Sequence, residues 1–178
     1  MSELIWAEAA LEKHHDRKSF DCGDEAVNAY IHRYARQNHE SGGAKCFVAS
    51  PVNKPSQIIS FYTLSPASIE YSRTPAIVQK GLARYDIPVF RLDRLGVDKS
   101  MQGRGLGGAL LLRAANRSIR VASEVGGVAL LIDAKNERVA KWYESYGALS
   151  LIDAPLSLVL SLSVAADALS SAPHQAQT

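Results

Sequence analysis

Between Asp24 and about Glu40 the apolar residues Ala26, Val27, Tyr30, Ile31 and Tyr34 recur at helical spacing. That pattern predicts a helix. Asp21 or Asp24 is placed to accept its free first-turn N–H groups, and Ser41-Gly42-Gly43 to stop it. Two short apolar runs, Lys45–Ala49 and Gln57–Leu64, predict strands joined through the turn-rich Ser50–Pro55. From about Tyr71 to Pro88 the chain reads as a loop-rich insert with a short helix at Ile77–Arg84. The pattern then sharpens: Val89–Val97 predicts a strand, and Gly103 to about Val121 a helix carrying Leu106, Ala109, Leu110, Ala114 and Val121 on its apolar face. Val128–Asp133 is almost wholly apolar, as in a strand buried on both faces. Asn136 to about Tyr146 predicts a second helix closed by Gly147, and Leu156–Val164 alternates like a last strand. Strands interleaved with helices give an α/β or α+β layered fold.

The length, 178 residues with 47% hydrophobic and 21% charged, fits one domain with a sizeable core and excludes a mostly disordered chain. Residues 1–168 read as that domain, and 169–178, small and polar, as a disordered tail. No run of 18 apolar residues predicts a transmembrane span, and acids interrupt the N-terminus where a secretory signal needs an apolar stretch. Two cysteines, Cys22 and Cys46, cannot make a disulfide framework or a zinc site alone, so a reducing cytoplasm is expected.

The formal charge of +2 hides an asymmetry. From Arg73 to Arg120 ten Lys/Arg face three acids, Asp86, Asp93 and Asp98. A basic middle third suits a polyanion such as a phosphorylated cofactor or a nucleic acid, or else a solvated face.

The most informative segment is Arg94 to Gly108, where a predicted strand runs into a glycine-rich loop that opens a helix. The first N–H groups of a helix lack intrahelical partners, and the dipole there favours an anion. Glycines let the backbone approach phosphate oxygens, and Arg104, with Lys99 nearby, supplies charge. A pyrophosphate cradle is the expectation. Gly103, Gly105 and Gly108 also satisfy the dinucleotide fingerprint G-x-G-x-x-G, with Asp133 ending the next strand where a ribose-binding acid would sit. Position opposes that reading: only about 70 residues follow the loop, too few for a second half and a substrate domain.

Gln102-Gly-Arg-Gly-Leu-Gly107 resembles the [Arg/Gln]-x-x-Gly-x-[Gly/Ala] signature of the GNAT acyl-CoA N-acyltransferases. Asn136-Glu-Arg-Val-Ala-Lys-Trp-Tyr-Glu-Ser-Tyr-Gly147 resembles their second signature. More narrowly, Phe20-Asp-Cys-Gly with Val27-Asn-Ala-Tyr-Ile, Ile87-Pro-Val with Leu92-Asp-Arg-Leu-Gly-Val97, and Pro155-Leu-Ser-Leu-Val-Leu160 are similar to the GNAT toxins of type II toxin–antitoxin modules. The resemblance implies an α+β GNAT fold, a mixed, mostly antiparallel twisted sheet flanked by helices. It also implies acetyl transfer from acetyl-CoA to the α-amine of aminoacyl-tRNA, a ribbon-helix-helix antitoxin and a homodimer. One departure is Gly96, where such toxins commonly carry Ala.

The same resemblance assigns roles. Pantetheine is expected on the main chain of Leu95 and Val97, between two splayed strands. The pyrophosphate is expected on Gln102, Gly103, Arg104, Gly105, Leu106, Gly107 and Gly108, and Asn136 faces the cofactor. Tyr143 is the general acid that protonates departing CoA, with Tyr146 in reserve, and Trp142 is expected in the core. For a tRNA acceptor stem, Arg73, Lys80, Arg84, Arg91 and Arg94 supply cations, joined by Arg33 and Arg36 on the first helix. Cys22 and Cys46 carry no catalytic context, and Cys46 is expected buried. His14, His15, His32 and His39 lack metal-ligand spacing, so no metal is expected and they read as surface residues. No nucleophile elbow or P-loop is present. Two alternatives stay open: a GNAT enzyme for a small amine or protein N-terminus, and a module that binds CoA or RNA without turnover.

Overall fold

A computed structural model describes residues 3–171. The seven strands are β1 (Trp6–Ala10), β2 (Lys45–Pro51), β3 (Ser60–Ile69), β4 (Ile87–Val97), β5 (Ala129–Asp133), β6 (Leu149–Leu151) and β7 (Ala154–Ser161). They form one mixed sheet in the order β1-β2-β3-β4-β5-β7-β6, the layered architecture expected. The helices are α1 (Glu25–Ala29), α2 (Ala35–Ser41), α3 (Ala76–Gln79), α4 (Leu106–Val125), α5 (Glu137–Glu144) and α6 (Leu162–Ser171). The chain divides into two compact units. One holds the chain through Ser65 with Leu92–Leu111; the other holds Pro66–Arg91 and the chain from Leu112 onward.

In the first unit, β1 and β2 pair antiparallel from Trp6↔Pro51 to Ala10↔Phe47, and β2 and β3 from Lys45↔Leu64 to Ala49↔Ser60. Leu11, Phe20, Tyr30, Ile31, Ala35, Cys46, Val48, Ile58 and Phe61 form one buried cluster. The helix predicted from Asp24 is present as α1 and α2, joined by a π-helical turn at Tyr30–Tyr34. Asp24 is the residue that caps it, accepting from the N–H groups of Ala26 and Val27 at 3.0 and 3.1 Å. Gly42, at φ +83°, ends it.

In the second unit, β5 and β7 pair antiparallel from Ala129↔Ser161 to Asp133↔Ser157, and β6 pairs with β7 through an irregularity at Ser150/Leu151. Ile69, Val78, Ile87, Val89, Ala129, Leu131, Leu151 and Val159 are buried together. Gly147 follows α5 at φ +97°, where a Cβ would lie 2.8 Å from Val164 Cγ1, so only glycine fits.

Several expectations are corrected. β1 was absent from the pattern because Trp-Ala-Glu-Ala-Ala lacks β-branched alternation; Tyr62 Oη, donating to Glu8 Oε1 at 3.1 Å, helps hold it. The second strand begins at Ser60 rather than Gln57. Within the insert the helix is four residues, Ala76–Gln79, since Gly81 takes φ +81°. The last strand stops at Ser161. The alternation of leucines runs on to Val164, but the ladder ends where Leu162 N donates to Val128 O at 2.9 Å, and the alanine-rich stretch beyond forms α6. That helix takes in residues 169–171, expected in the tail; 172–178 lie outside the described residues.

The histidines are corrected too. His15 is buried, and its Nδ1 accepts from Glu12 N at 2.9 Å. His39 Nδ1 accepts from Cys46 N at 2.9 Å, and His32 Nε2 lies 2.7 Å from Phe20 O. These rings bond the backbone, and among the described histidines only His14 is exposed. Burial, then the neighbouring His14, lowers the pKa of His15. The unfolded chain therefore binds a proton that the folded chain refuses, and stability is lost as pH falls below about 6.5. The expected result is a drop in urea midpoint between pH 7 and pH 5 that shrinks in His15→Asn, whose amide oxygen can still accept from Glu12 N.

Candidate functional site

The glycine loop lies in the first unit, between β4 and α4. Gly103 and Gly105 sit at φ +78° and +79°, and a Cβ built on either meets nothing within 4 Å. The turn therefore needs glycine for its backbone, and the space before it is open. Gly105 O accepts from Ala109 N at 3.1 Å, the first bond of a 20-residue helix. The N–H groups of Leu106, Gly107 and Gly108 precede that bond and have no partner within the helix. Arg104 is exposed beside them. Open glycine faces, first-turn donors and a guanidinium together fit a diphosphate.

Two side chains differ from expectation. Gln102 Nε2 donates to Cys22 O and to Val97 O, both at 2.9 Å. Its amide holds the loop, leaving its main chain for any anion, and the carbonyl of Val97 is occupied. Lys99 Nζ lies 3.2 Å from Asp21 Oδ2, so its charge is already partnered. Asp21 is not a helix cap. Asn28 Nδ2 first, then Gly23 N and Lys99, hold its carboxyl down to about 2. Leu95 and Val97 are half-buried, on the strand face opposite buried Gly96. A Cβ on Gly96 would come within 3.0–3.3 Å of Val27, Phe61 and Phe20, so any larger residue there requires those side chains to give way. Ser60 Oγ donates to Gly96 O at 2.7 Å.

In the second unit, Asn136 caps α5, its Oδ1 accepting from Val139 N at 2.9 Å. This is the N-cap role that Asn before Glu137 signals, and it uses the side-chain oxygen. Tyr143 is 7% exposed and no described residue hydrogen-bonds its hydroxyl. Burial pushes its phenol up to about 12, so it stays protonated at neutral pH. Trp142 is half-buried rather than core, its ring 4.9 Å from that of Tyr143 and 5.1 Å from that of half-buried Tyr146. Asp133 takes Ser157 Oγ at 2.7 Å and Arg91 Nη2 at 3.6 Å, so it is occupied within the sheet and not poised for a ribose.

The seven cations chosen for tRNA fall into two kinds. Arg36 pairs with Glu40 at 2.8 Å, Arg73 with Asp153 at 3.0 Å and Arg91 with Asp133; Arg94 pairs with Asp93 and lies 3.8 Å from the Tyr30 ring centroid. Arg33, Lys80 and Arg84 are exposed. Sequence reasoning missed Asp98, whose carboxylate accepts from Asp21 N and Ser100 N at 3.0 Å each; Asp-Lys-Ser, an Asx-turn pattern, is the signal for it. Among the described residues no cluster of His, Cys, Asp and Glu could hold a metal ion, and no helix is long and apolar enough to cross a membrane.

No family model matches the chain. It is 33% identical over 128 residues to a tRNA-acetylating toxin of Mycobacterium tuberculosis (strain ATCC 25618 / H37Rv), covering 72% of this chain and 75% of that protein. It is 26% identical over 156 residues to a probable toxin TacT of Sinorhizobium fredii (strain NBRC 101917 / NGR234), covering 83% and 86%. Its fold superposes with a TM-score of 0.86 on AtaT complexed with acetyl-methionyl-tRNAfMet, at 25% identity over 94% of this chain and 100% of that one. With both signatures on the elements they require, the chain belongs to the GNAT acetyltransferase toxins of toxin–antitoxin modules.

Proposed function

We propose that this chain transfers the acetyl group of acetyl-CoA to the α-amine of aminoacyl-tRNA and so blocks translation. The observation that carries it is the loop at Gln102–Gly108, whose glycine backbone and helix opening present donors to a diphosphate, in a chain kin to tRNA-acetylating enzymes. Acetyl-CoA supplies an activated acyl group as its thioester. Gly103 to Gly108 bind its diphosphate through main-chain N–H groups, with Arg104 adding charge. The N–H near Val97 polarises the thioester carbonyl.

The α-amine of an aminoacyl ester is less basic than an alkyl amine, so its neutral form exists near pH 7. It attacks the carbonyl carbon; a C–N bond forms, the C–S bond breaks, and the amine releases a proton to water. The leaving thiolate takes the phenol proton of Tyr143, which solvent then restores. Asn136 positions α5, and through it Tyr143, by capping the helix. Membership of a toxin–antitoxin family supports restraint by a ribbon-helix-helix antitoxin, a homodimeric state and a cytoplasmic site of action.

The test is mass spectrometry of charged tRNA after incubation with the protein and acetyl-CoA. An acetylated aminoacyl moiety is expected. Acetylation of a small amine or a peptide N-terminus, with charged tRNA untouched, would favour the other substrate class.

Lys80 and Arg84 are the exposed cations of the insert. Reversing both to Glu is expected to weaken tRNA binding about tenfold at low salt and to make the dependence of log K on log salt shallower by about one to two. A filter-binding series across salt measures this, and an unaltered slope counts against phosphate contacts by the insert.

A further inference from the structure

The turn at Phe20–Asp24 and the segment Val97–Gln102 lie some 80 positions apart in sequence and are fastened together within one compact unit. Asp21 N donates to Asp98 Oδ2 at 3.0 Å, and Lys99 N donates to Asp21 O at 2.8 Å. Lys99 Nζ and Asp21 Oδ2 are 3.2 Å apart, and Gln102 Nε2 reaches Cys22 O. The turn is braced in its own right: Asn28 Nδ2 donates to Asp21 Oδ1 at 2.8 Å, and Asn28 Oδ1 accepts from Cys22 N at 3.0 Å. Asp98 N donates to Ile59 O at 2.9 Å, tying the same segment to the chain just before β3.

Every one of these bonds falls before Gly103, and none falls on Gly103 to Gly108. Gly103, Gly105, Gly107 and Gly108 lack a Cβ, so ordering this stretch on an anion costs more backbone entropy than ordering other residues would. Its entry point is held by a scaffold that costs the ligand nothing. We infer that Asp21, Asn28, Asp98 and Gln102 are positioning residues for the diphosphate loop, preorganising the backbone donors of Gly103–Gly108 from a turn some 80 positions away in sequence. The inference rests on the acetyl-CoA reading above. It separates two uses of one motif residue: Gln102 acts by clamping the loop, while the glycines beside it meet the ligand.

The consequence is a divided kinetic effect. A loosened loop must be ordered by the ligand, so affinity falls, whereas once bound the reacting groups are unchanged. Gln102→Met keeps the length of the side chain and removes both donor bonds. Asp21→Ala removes the acceptor at the centre of the turn. Asp21→Asn keeps an oxygen for Gly23 N and Asn28 Nδ2.

The experiment compares wild type with these three variants by calorimetric titration of acetyl-CoA, steady-state kinetics, amide hydrogen exchange without ligand, and thermal melting. Gln102→Met and Asp21→Ala are expected to raise Kd and KM for acetyl-CoA about tenfold, with kcat within about twofold. They should also quicken exchange across residues 102–108 while leaving the melting temperature within a few degrees. Asp21→Asn should recover most of the affinity. Unchanged Kd and exchange in both disrupting variants would overturn the inference, as would a collapse of melting temperature with kcat and Kd lost together. Failure of the wild type itself to bind acetyl-CoA is a separate result, and it would overturn the functional reading along with the inference.

Discussion

Tyr143→Phe is expected to lower acetyl transfer by about 10²-fold or more and to leave acetyl-CoA affinity within about twofold of wild type. The substitution deletes one oxygen from a side chain that is 7% exposed. No described residue hydrogen-bonds that oxygen, so its loss strands no buried partner, and stability is expected to hold or rise slightly. What is lost is a proton held through the whole physiological range, because burial pushes the phenol up to about 12. Its pH signature follows. Turnover of wild type should rise as the substrate amine deprotonates and show no falling limb from Tyr143 below about pH 10, since the acid form persists there. Single-turnover acetylation of charged tRNA across pH measures both effects, and unchanged turnover in the Phe variant would remove Tyr143 from the chemistry. Tyr146, half-buried beside Trp142, is then the acid to examine.

The second large effect is expected in the loop. Gly103 and Gly105 adopt φ near +80°, where an alanine is disfavoured by about 1–2 kcal/mol. Both lie in an exposed segment, so alanines there relax to another backbone conformation rather than unfold the protein. Restoring the donor geometry on binding then costs the sum of the two, about 2–4 kcal/mol. At 1.4 kcal/mol per decade, acetyl-CoA affinity falls about 10²-fold in Gly103→Ala/Gly105→Ala. The melting temperature is expected to change little. Calorimetric titration with a parallel melt checks this, and wild-type affinity in the double variant would show that the turn does not hold the diphosphate.

Which parts of this were legible in the sequence follows from how local each cause is. The glycine loop and the end of α5 at Gly147 are decided by residues a few positions apart and are readable, whereas the helix cap is narrowed by sequence only to Asp21 or Asp24 and falls to Asp24. The bond of Gln102 to Cys22 O and the carboxylate of Asp98 on Asp21 N join positions some 80 apart, which no local pattern reveals. His15 and His39 look like surface polar residues because their partners are backbone N–H groups, which every residue but proline carries. The passage from β7 to α6 was misread for a different reason. Its leucines alternate through Val164, and only the end of the partner ladder at Ala129 decides where pairing stops. The cation patch was legible as composition, but its division into paired Arg36, Arg73, Arg91 and Arg94 and exposed Arg33, Lys80 and Arg84 depends on where each carboxylate falls in three dimensions.

The most direct measurement is an experimental structure of the protein with acetyl-CoA. The diphosphate is predicted to lie on the main-chain N–H groups of residues 103–108, with the Gln102 amide still bonded to Cys22 O and the sulfur within reach of the Tyr143 hydroxyl. A coenzyme bound away from that loop, or a protein that takes up none at millimolar concentration, would contradict the assignment of this chain as an acetyl-CoA-dependent enzyme.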